Sequence, residues 1–273
     1  MPELPEVETV AAGLRRSIVG QHIASARLLT KQLARGNPKN FSSLITGKIV
    51  EAVRRKGKQI LIELSHGWIV WAHFMMTGKF WLLKPDEPET KFDGAVFLLQ
   101  PVNKKLVFYD QRRFGRLKLV RKKELGRLKE YRRLGPDALE VSAQEFVLRV
   151  KERKKGLKSL LLDQTIIAGL GNIYADESLF LAKIHPEAAG FRLSKERLSG
   201  LYSAVRQVLA RAIRAGGSSV RDYSALDGRR GYFQIEHRVY QRTGLPCFVC
   251  GRKIRRIVAA QRSTHFCPRC QRK

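Results

Sequence analysis

Acidic side chains are scarce in this chain. Only 24 Asp and Glu stand against 53 Lys and Arg among 273 residues, a formal net charge of +29. After Glu236 there are none. Such an imbalance calls for a polyanionic partner, most simply nucleic acid. Long apolar runs are also missing: no stretch approaches the roughly 20 residues of a membrane span. The first residues carry acids where a secretory signal needs basic and then apolar ones, so a cytoplasmic protein is expected. No low-complexity basic tail is present, which argues against an RNA-packing protein of the ribosome, and no segment repeats. Cysteine is limited to four residues, all from Cys247 onward.

What is present suits one large or two medium domains with real cores, since 44% of residues are hydrophobic. The positive charge falls in three blocks: Arg112–Lys123, Arg149–Lys158 and the tail beyond Glu236. One basic run is usually a solvated face. Three separated blocks, each beside a distinctive motif, read as the walls of one groove.

The segment Met1-Pro-Glu-Leu-Pro-Glu-Val-Glu8 carries the strongest chemical signal. Removal of Met1 would leave Pro2 as a secondary amine with Glu3 and Glu6 close behind. Such an amine can attack a carbon and form an iminium ion, covalent catalysis by a Schiff base. An α-amino group near pKa 7.8 is roughly 10% free base at pH 7, against about 0.04% for lysine. Val7, Val10, Ala11, Leu14 and Ile18 recur at helical spacing, with Gly20 as a stop. The positive end of that helix favours an unprotonated amine and anionic neighbours. Taken alone, the same residues read more simply as dipole-compensating acids with proline at a tolerated position, a reading that the rest of the chain reverses.

From residue 22 to 120 the pattern is short strands separated by turn signals, which predicts an antiparallel sandwich. At Gly135-Pro136 it changes to a linker. Ser142-Ala-Gln-Glu145 is a capping box opening a helix to about Lys154. Shorter helices follow at 158–162 and 172–183, and Ser194 caps a long one that Gly216-Gly217 ends. The tail from Arg238 reads as strand. The expected division is 1–133, a linker at 134–141, a helical domain at 142–236 and a zinc finger at 237–273.

Cys247-x2-Cys250 and Cys267-x2-Cys270, sixteen residues apart, have the spacing of two knuckles holding one structural Zn2+. Two disulfides or four free thiols are the alternatives, the disulfides disfavoured in a basic cytoplasmic chain. Gly169-Leu-Gly-Asn172 opens a helix where free amides favour an anion. It lacks the third glycine and preceding strand of a dinucleotide fingerprint, so a structural cap is its simpler reading. Met76 and Phe114 each lie near a turn glycine and cations. They are candidate wedges for a gap left by an extruded base, or else core residues.

Taken together, MPELPEVETV, RRKGKQIL, HFMMTG, DQRRFG, AGLGNIYADE, GGSSVRDY, DGRRGYF and the cysteine tail resemble the formamidopyrimidine-DNA glycosylase family, bacterial enzymes acting on 8-oxoguanine. The likeness spans essentially the whole chain. It implies an α+β architecture: an N-terminal antiparallel β-sandwich with flanking helices, then a helix–two-turn–helix domain and a β-hairpin zinc finger. DNA would lie in the cleft between the domains. It implies an enzyme that removes oxidised purines from double-stranded DNA and cleaves the abasic strand, working as a monomer.

The resemblance assigns Pro2 as nucleophile on C1′, Glu3 as general acid/base with Glu6 in support, and Lys58 at the lesion phosphate. Met76, Arg112 and Phe114 would fill the vacated space. His73, Lys154, Lys158, Asn172 and Arg262 would grip the backbone, Arg262 also assisting the second elimination. Ser218–Tyr232 resembles a loop that covers the flipped purine. Phe74 and Met75 depart from the usual pattern. Phe92 stands where many members carry a DNA-contacting His, so that contact is not transferred. Thr77 occupies a variable position tied to how the base is held. An endonuclease VIII-like enzyme for oxidised pyrimidines, or a non-catalytic zinc-finger DNA-binding protein, are the competing readings.

Overall fold

The computed structural model describes residues 1–219, 225–226 and 228–272. The chain divides into two compact units, Met1–Arg132 with Gly216–Tyr232, and Arg133–Ala215 with Phe233–Lys273. Residues 216–232, expected with the helical part, thus cluster with the first unit.

In the first unit, α1 (Leu4–Ile18) is followed by β1 (His22–Leu28), α2 (Lys31–Arg35), α3 (Phe41–Ile45), β2 (Val50–Lys56), β3 (Gln59–Leu64), β4 (Trp68–His73), β5 (Lys79–Leu83), β6 (Asp93–Gln100), β7 (Lys104–Tyr109), β8 (Arg116–Arg121) and α4 (Lys129–Arg132). The strands form two antiparallel sheets, ordered β1-β6-β7-β5 and β2-β3-β4-β8. Ile23, Phe97 and Phe108 of one sheet share a core with Val53, Ile62 and Leu117 of the other, as the expected sandwich requires. The apolar stripe of α1, Val7, Val10, Ala11, Leu14 and Ile18, is buried in that core. Gly20, at φ +83°, ends the helix and donates its N–H to the Val50 carbonyl (2.8 Å).

Every residue of β3 is buried, because the second sheet is covered on its outer face too. There Leu61, Ile69 and Trp71 pack against Leu125, Leu128 and Tyr131. The buried Trp71 indole donates to Gln59 Oε1 (2.6 Å), so its polar edge is satisfied. The two five-residue helices α2 and α3 show no helical periodicity, although the Thr30 hydroxyl caps α2. Each is too short for helical periodicity to register.

In the second unit, α5 (Ala143–Lys151), α6 (Leu157–Leu162), α7 (Asn172–Leu181) and α8 (Lys195–Arg214) precede the hairpin of β9 (Arg255–Ala259) and β10 (Arg262–Phe266). Ser142 and Ser194 cap α5 and α8 through their hydroxyls, as their positions predict. Gly135-Pro136 is no free linker: the Gly135 N–H donates to the Gln164 carbonyl (2.9 Å), and a Cβ there would lie 2.6 Å from the Thr165 and Ile166 carbonyl oxygens. Strand structure does not begin at Arg238. The N–H groups of Arg238, Val239 and Tyr240 instead donate to the buried Glu177 carboxylate (2.8, 3.0 and 2.8 Å). Burial pushes the Glu177 pKa up, with those three donors opposing it. Among the described residues, no helix is long and apolar enough to cross a membrane.

Candidate active site and nucleic-acid interface

In the first unit, Pro2 is half-buried just ahead of α1, and Glu3 is the N-cap residue. Glu3 and Glu6 are only 4% and 2% exposed, an unusual state for acids unless their partners are built in. Glu6 Oε2 accepts the Glu3 N–H (2.7 Å), and Glu6 Oε1 accepts the Ser218 N–H (2.7 Å). Gly217 makes that approach possible. Its φ is +84°, and a Cβ would sit 2.8 Å from Glu6 Oε1 and 2.9 Å from its Cγ. Gly231 packs against the same turn, where a Cβ would collide with the Gly217 carbonyl oxygen. The Gly216-Gly217 pair, expected as a helix stop, therefore also clamps the second N-terminal carboxylate. Of the expected covering loop, Val220–Ser224 and Asp227 lie outside the described residues.

Lys58 is buried directly after the turn at Gly57 (φ +57°). That turn is tied to α1: the Arg55 guanidinium donates to Glu8 Oε2 (2.6 Å) and to the Gly57 carbonyl (2.9 Å), and Arg15 Nε donates to the Val53 carbonyl (2.8 Å). His73 ends β4, opposite Gln59. Its Nδ1 accepts the Met75 N–H (3.0 Å), which leaves the ring proton on Nε2. Burial, then the positive charges of Lys58 and Arg116, push His73 down to about 4, against a smaller opposing effect of Glu130. At neutral pH it is an uncharged imidazole with one N–H to donate.

Met76 and Phe114 are not core residues. Met76 is half-buried and Phe114 is 50% exposed, with the Arg112 guanidinium 5.1 Å from its ring centroid. Arg112 is itself exposed, beside Arg113 at φ +56°. One buried carboxylate, Asp110, accepts hydrogen bonds throughout this turn.

In the second unit, the sequence places Asn172 and Arg262 ninety residues apart, and the fold joins their neighbourhoods. Gly171, not Asn172, is the N-cap of α7, and Asn172 Nδ2 donates to the Ser263 carbonyl (2.9 Å). Asn172 Oδ1 is buried with no partner in the structure, so an acceptor there is unsatisfied. Ala260 and Gln261, both at positive φ, form the tight turn that presents exposed Arg262. Lys154 is exposed in the turn between α5 and α6.

Lys158 departs from the expected role. It is 1% exposed, donates to the Asn172 carbonyl (3.1 Å) and is ion-paired with Asp176. The other Asp176 oxygen accepts the His265 N–H (3.0 Å) and faces His265 Nδ1 (3.2 Å). Lys158 thus acts through a buried network that welds α6, α7 and β10 together. The sequence signal for Asp176 and Glu177 is slight: adjacent acids within an otherwise apolar helix of a strongly basic chain.

The four cysteine Sγ atoms lie within 4.8 Å of one another, with Cys250–Cys267 at 3.4 Å and Cys247–Cys270 at 3.9 Å. A tetrahedral zinc with bonds near 2.3 Å sets sulfur–sulfur edges of about 3.8 Å. Backbone amides of Val249 and Cys270 point at Sγ of Cys247 and Cys267 (3.4 and 3.5 Å), orienting the thiolates. The donor set fits one structural Zn2+ and leaves no open coordination position.

Three family models match: formamidopyrimidine-DNA glycosylase N-terminal domain over residues 1–117, its H2TH domain over 134–224, and a zinc finger found in FPG and IleRS over 244–272. The formamidopyrimidine-DNA glycosylase of Solibacter usitatus is 44% identical, with 100% of both chains covered. That of Chloroflexus aurantiacus is 41% identical, covering 99% of this chain and 98% of the relative. A solved complex of Lactococcus lactis Fpg with abasic-site DNA superposes with a TM-score of 0.91 at 36% identity, covering 100% of both chains. So does a point mutant of the Lactococcus lactis protein bound to DNA containing Fapy-dG, with the same score, identity and coverage.

Proposed function

The chain belongs to the formamidopyrimidine-DNA glycosylase family, and from that premise we propose that it excises oxidised purines, 8-oxoguanine and formamidopyrimidines, from duplex DNA and then cleaves the abasic strand. Pro2, freed by removal of Met1, is the nucleophile. Its nitrogen bonds to C1′ as the glycosidic bond breaks and the base leaves with that electron pair. Glu3 protonates the sugar ring oxygen, the ring opens, and loss of the nitrogen's proton leaves an iminium. The iminium acidifies the C2′ hydrogen. β-Elimination breaks the 3′ C–O bond, and a second elimination, assisted by Arg262, breaks the 5′ one. Lys58 and neutral His73 bind phosphate oxygens, Lys58 as a cation and His73 through Nε2–H. Lys154, Arg262 and the amides before α7 hold the backbone further along, while Lys158 holds α7 in place. Bound zinc cross-links the hairpin that carries Arg262 and stays outside the chemistry.

The observation that carries this reading is the pair of buried carboxylates at the start of α1, one of them fixed by the Gly217-Ser218 turn. A dipole-compensating acid has no need of burial or of a glycine cradle. Borohydride reduction with an abasic duplex tests it. The wild-type protein becomes covalently trapped, and Pro2→Gly loses at least ~100-fold of that trapping while duplex affinity stays within about three-fold. Undiminished trapping in the variant would refute the nucleophile, and an untrappable wild type would leave only a DNA-binding protein. Preferential excision of oxidised pyrimidines would favour the endonuclease VIII-like alternative.

A further inference from the structure

Met76 and the Arg112–Phe114 turn come from separate loops, one after β4 and one after β7. A wedge driven into a base stack must resist the force that restacks the bases. A side chain on a compliant loop yields instead, so two wedge loops act together only if something joins them. Here the junction is one hydroxyl and one carboxylate. The Thr77 hydroxyl donates to Asp110 Oδ1 (2.5 Å). The Arg112 N–H is shared between Thr77 Oγ1 (3.1 Å) and Asp110 Oδ1 (3.2 Å). Asp110 Oδ2 accepts the Gly115 N–H (2.5 Å), and the Asp110 carbonyl accepts the Arg113 N–H (3.3 Å).

The surroundings leave this knot little room to shift. A Cβ on Gly115 would lie 2.8 Å from Phe108 Cζ and 2.9 Å from Asp110 Oδ2. A Cβ on Gly78, the residue after Thr77, would lie 2.5 Å from the Phe74 carbonyl oxygen. The Gly115 turn is therefore packed directly against a 4% exposed carboxylate, and the Gly78 turn closes tightly on its own backbone at Phe74. Hydrogen bonds to a buried charged group are among the stronger ones available.

We infer that Thr77 and Asp110 form a latch that makes the two wedge loops one rigid piece, and that both are positioning residues for base extrusion. The inference rests on the wedge roles of Met76, Arg112 and Phe114 in the reading above. It also gives Thr77 a specific function in this chain. The Thr77 hydroxyl proton is spent on Asp110, so its effect on the flipped base is exerted through the wedge and not by donating to the purine.

Thr77→Val tests this, being nearly isosteric and lacking the hydroxyl, with Thr77→Ser as the conservative rescue. Single-turnover excision of 8-oxoguanine from a duplex should slow between about ten-fold and one hundred-fold in Thr77→Val, the range set by losing a hydrogen bond to a charged group. Thr77→Ser should recover to within about three-fold of wild type. A 2-aminopurine beside the lesion should show a smaller fluorescence rise on mixing with Thr77→Val, because the stack opens less. Borohydride trapping on a single-stranded abasic oligonucleotide, where no stack need be opened, should differ by less than about two-fold between Thr77→Val and wild type. Excision by Thr77→Val at the wild-type rate would overturn the latch. So would an equal loss on the single-stranded substrate, which would place the defect in the chemistry, or failure of Thr77→Ser to rescue. A wild-type protein that neither excises nor traps would instead overturn the glycosylase reading on which the latch depends.

Discussion

Gly217→Ala is the most direct probe of the N-terminal site, and Gly20→Ala is its built-in control. The two glycines have nearly the same φ, +84° and +83°. An L-residue held there loses about 1–2 kcal/mol from backbone strain alone. They differ in surroundings. Nothing lies within 4 Å of a Cβ built on Gly20, whereas one on Gly217 meets Glu6 Oε1 at 2.8 Å and Cγ at 2.9 Å. Forcing a methyl group into packed structure adds about 1–3 kcal/mol. Gly20→Ala should therefore cost about 1–2 kcal/mol in urea unfolding, and Gly217→Ala about 2–5 kcal/mol.

The functional outcomes should diverge further. The Glu6 carboxylate that must retreat is the one holding the Glu3 N–H and the Ser218 N–H. Displacement of a reacting group by a fraction of an ångström is expensive in rate. Borohydride trapping on an abasic duplex should fall at least about ten-fold in Gly217→Ala and stay within about two-fold of wild type in Gly20→Ala. Equal stability losses in the two variants, with trapping intact in both, would show that Glu6 is not clamped by this turn.

Two other outcomes follow from the buried ionisable groups. His73 and His237 each have folded pKa values of about 4, both lowered first by burial, against about 6.5 unfolded. Between those values the unfolded state binds more protons. Stability is therefore full above about pH 6.5 and is lost as pH falls toward 4, by up to about 3 kcal/mol for each histidine. Urea titrations at about pH 7.5 and 5.0 should show the loss, and His237→Gln should remove its share of the slope; a pH-independent midpoint would contradict the assignment. Asp176→Asn leaves the Lys158 ammonium buried without its counter-charge and should destabilise by about 3–5 kcal/mol. Adding Lys158→Met should recover a substantial part of that; losses that simply sum would mean the pair is not coupled.

Local pattern is enough for most of the architecture. All eight strands between residues 22 and 121 are legible, because each is a short apolar or alternating run bounded by turn residues. Likewise the serine caps of α5 and α8 are local hydrogen bonds, fixed within one turn of chain. Short helices escape because five residues hold too little periodicity. The strand reading fails at 238–240 because the competing acceptor, Glu177, lies some sixty residues away in sequence.

The site divides along the same line. That the four cysteines can hold one metal, and that Pro2 and Glu3 are candidates for covalent chemistry, can be read from residue type and spacing, which are one-dimensional facts; Lys58 is singled out only by the family resemblance. Metal spacing in particular depends on chain geometry across only a few residues. Whether a charge reaches solvent is not such a fact. Lys154 and Lys158 look alike in the sequence, yet one is exposed and the other is sealed against Asp176. Gly217 looks like any helix terminator until Glu6, more than two hundred residues earlier, is packed against it. Burial and hydrogen-bond partnership are properties of neighbours in space, and they decide which of the chain's many charges act as structure and which are left exposed to solvent.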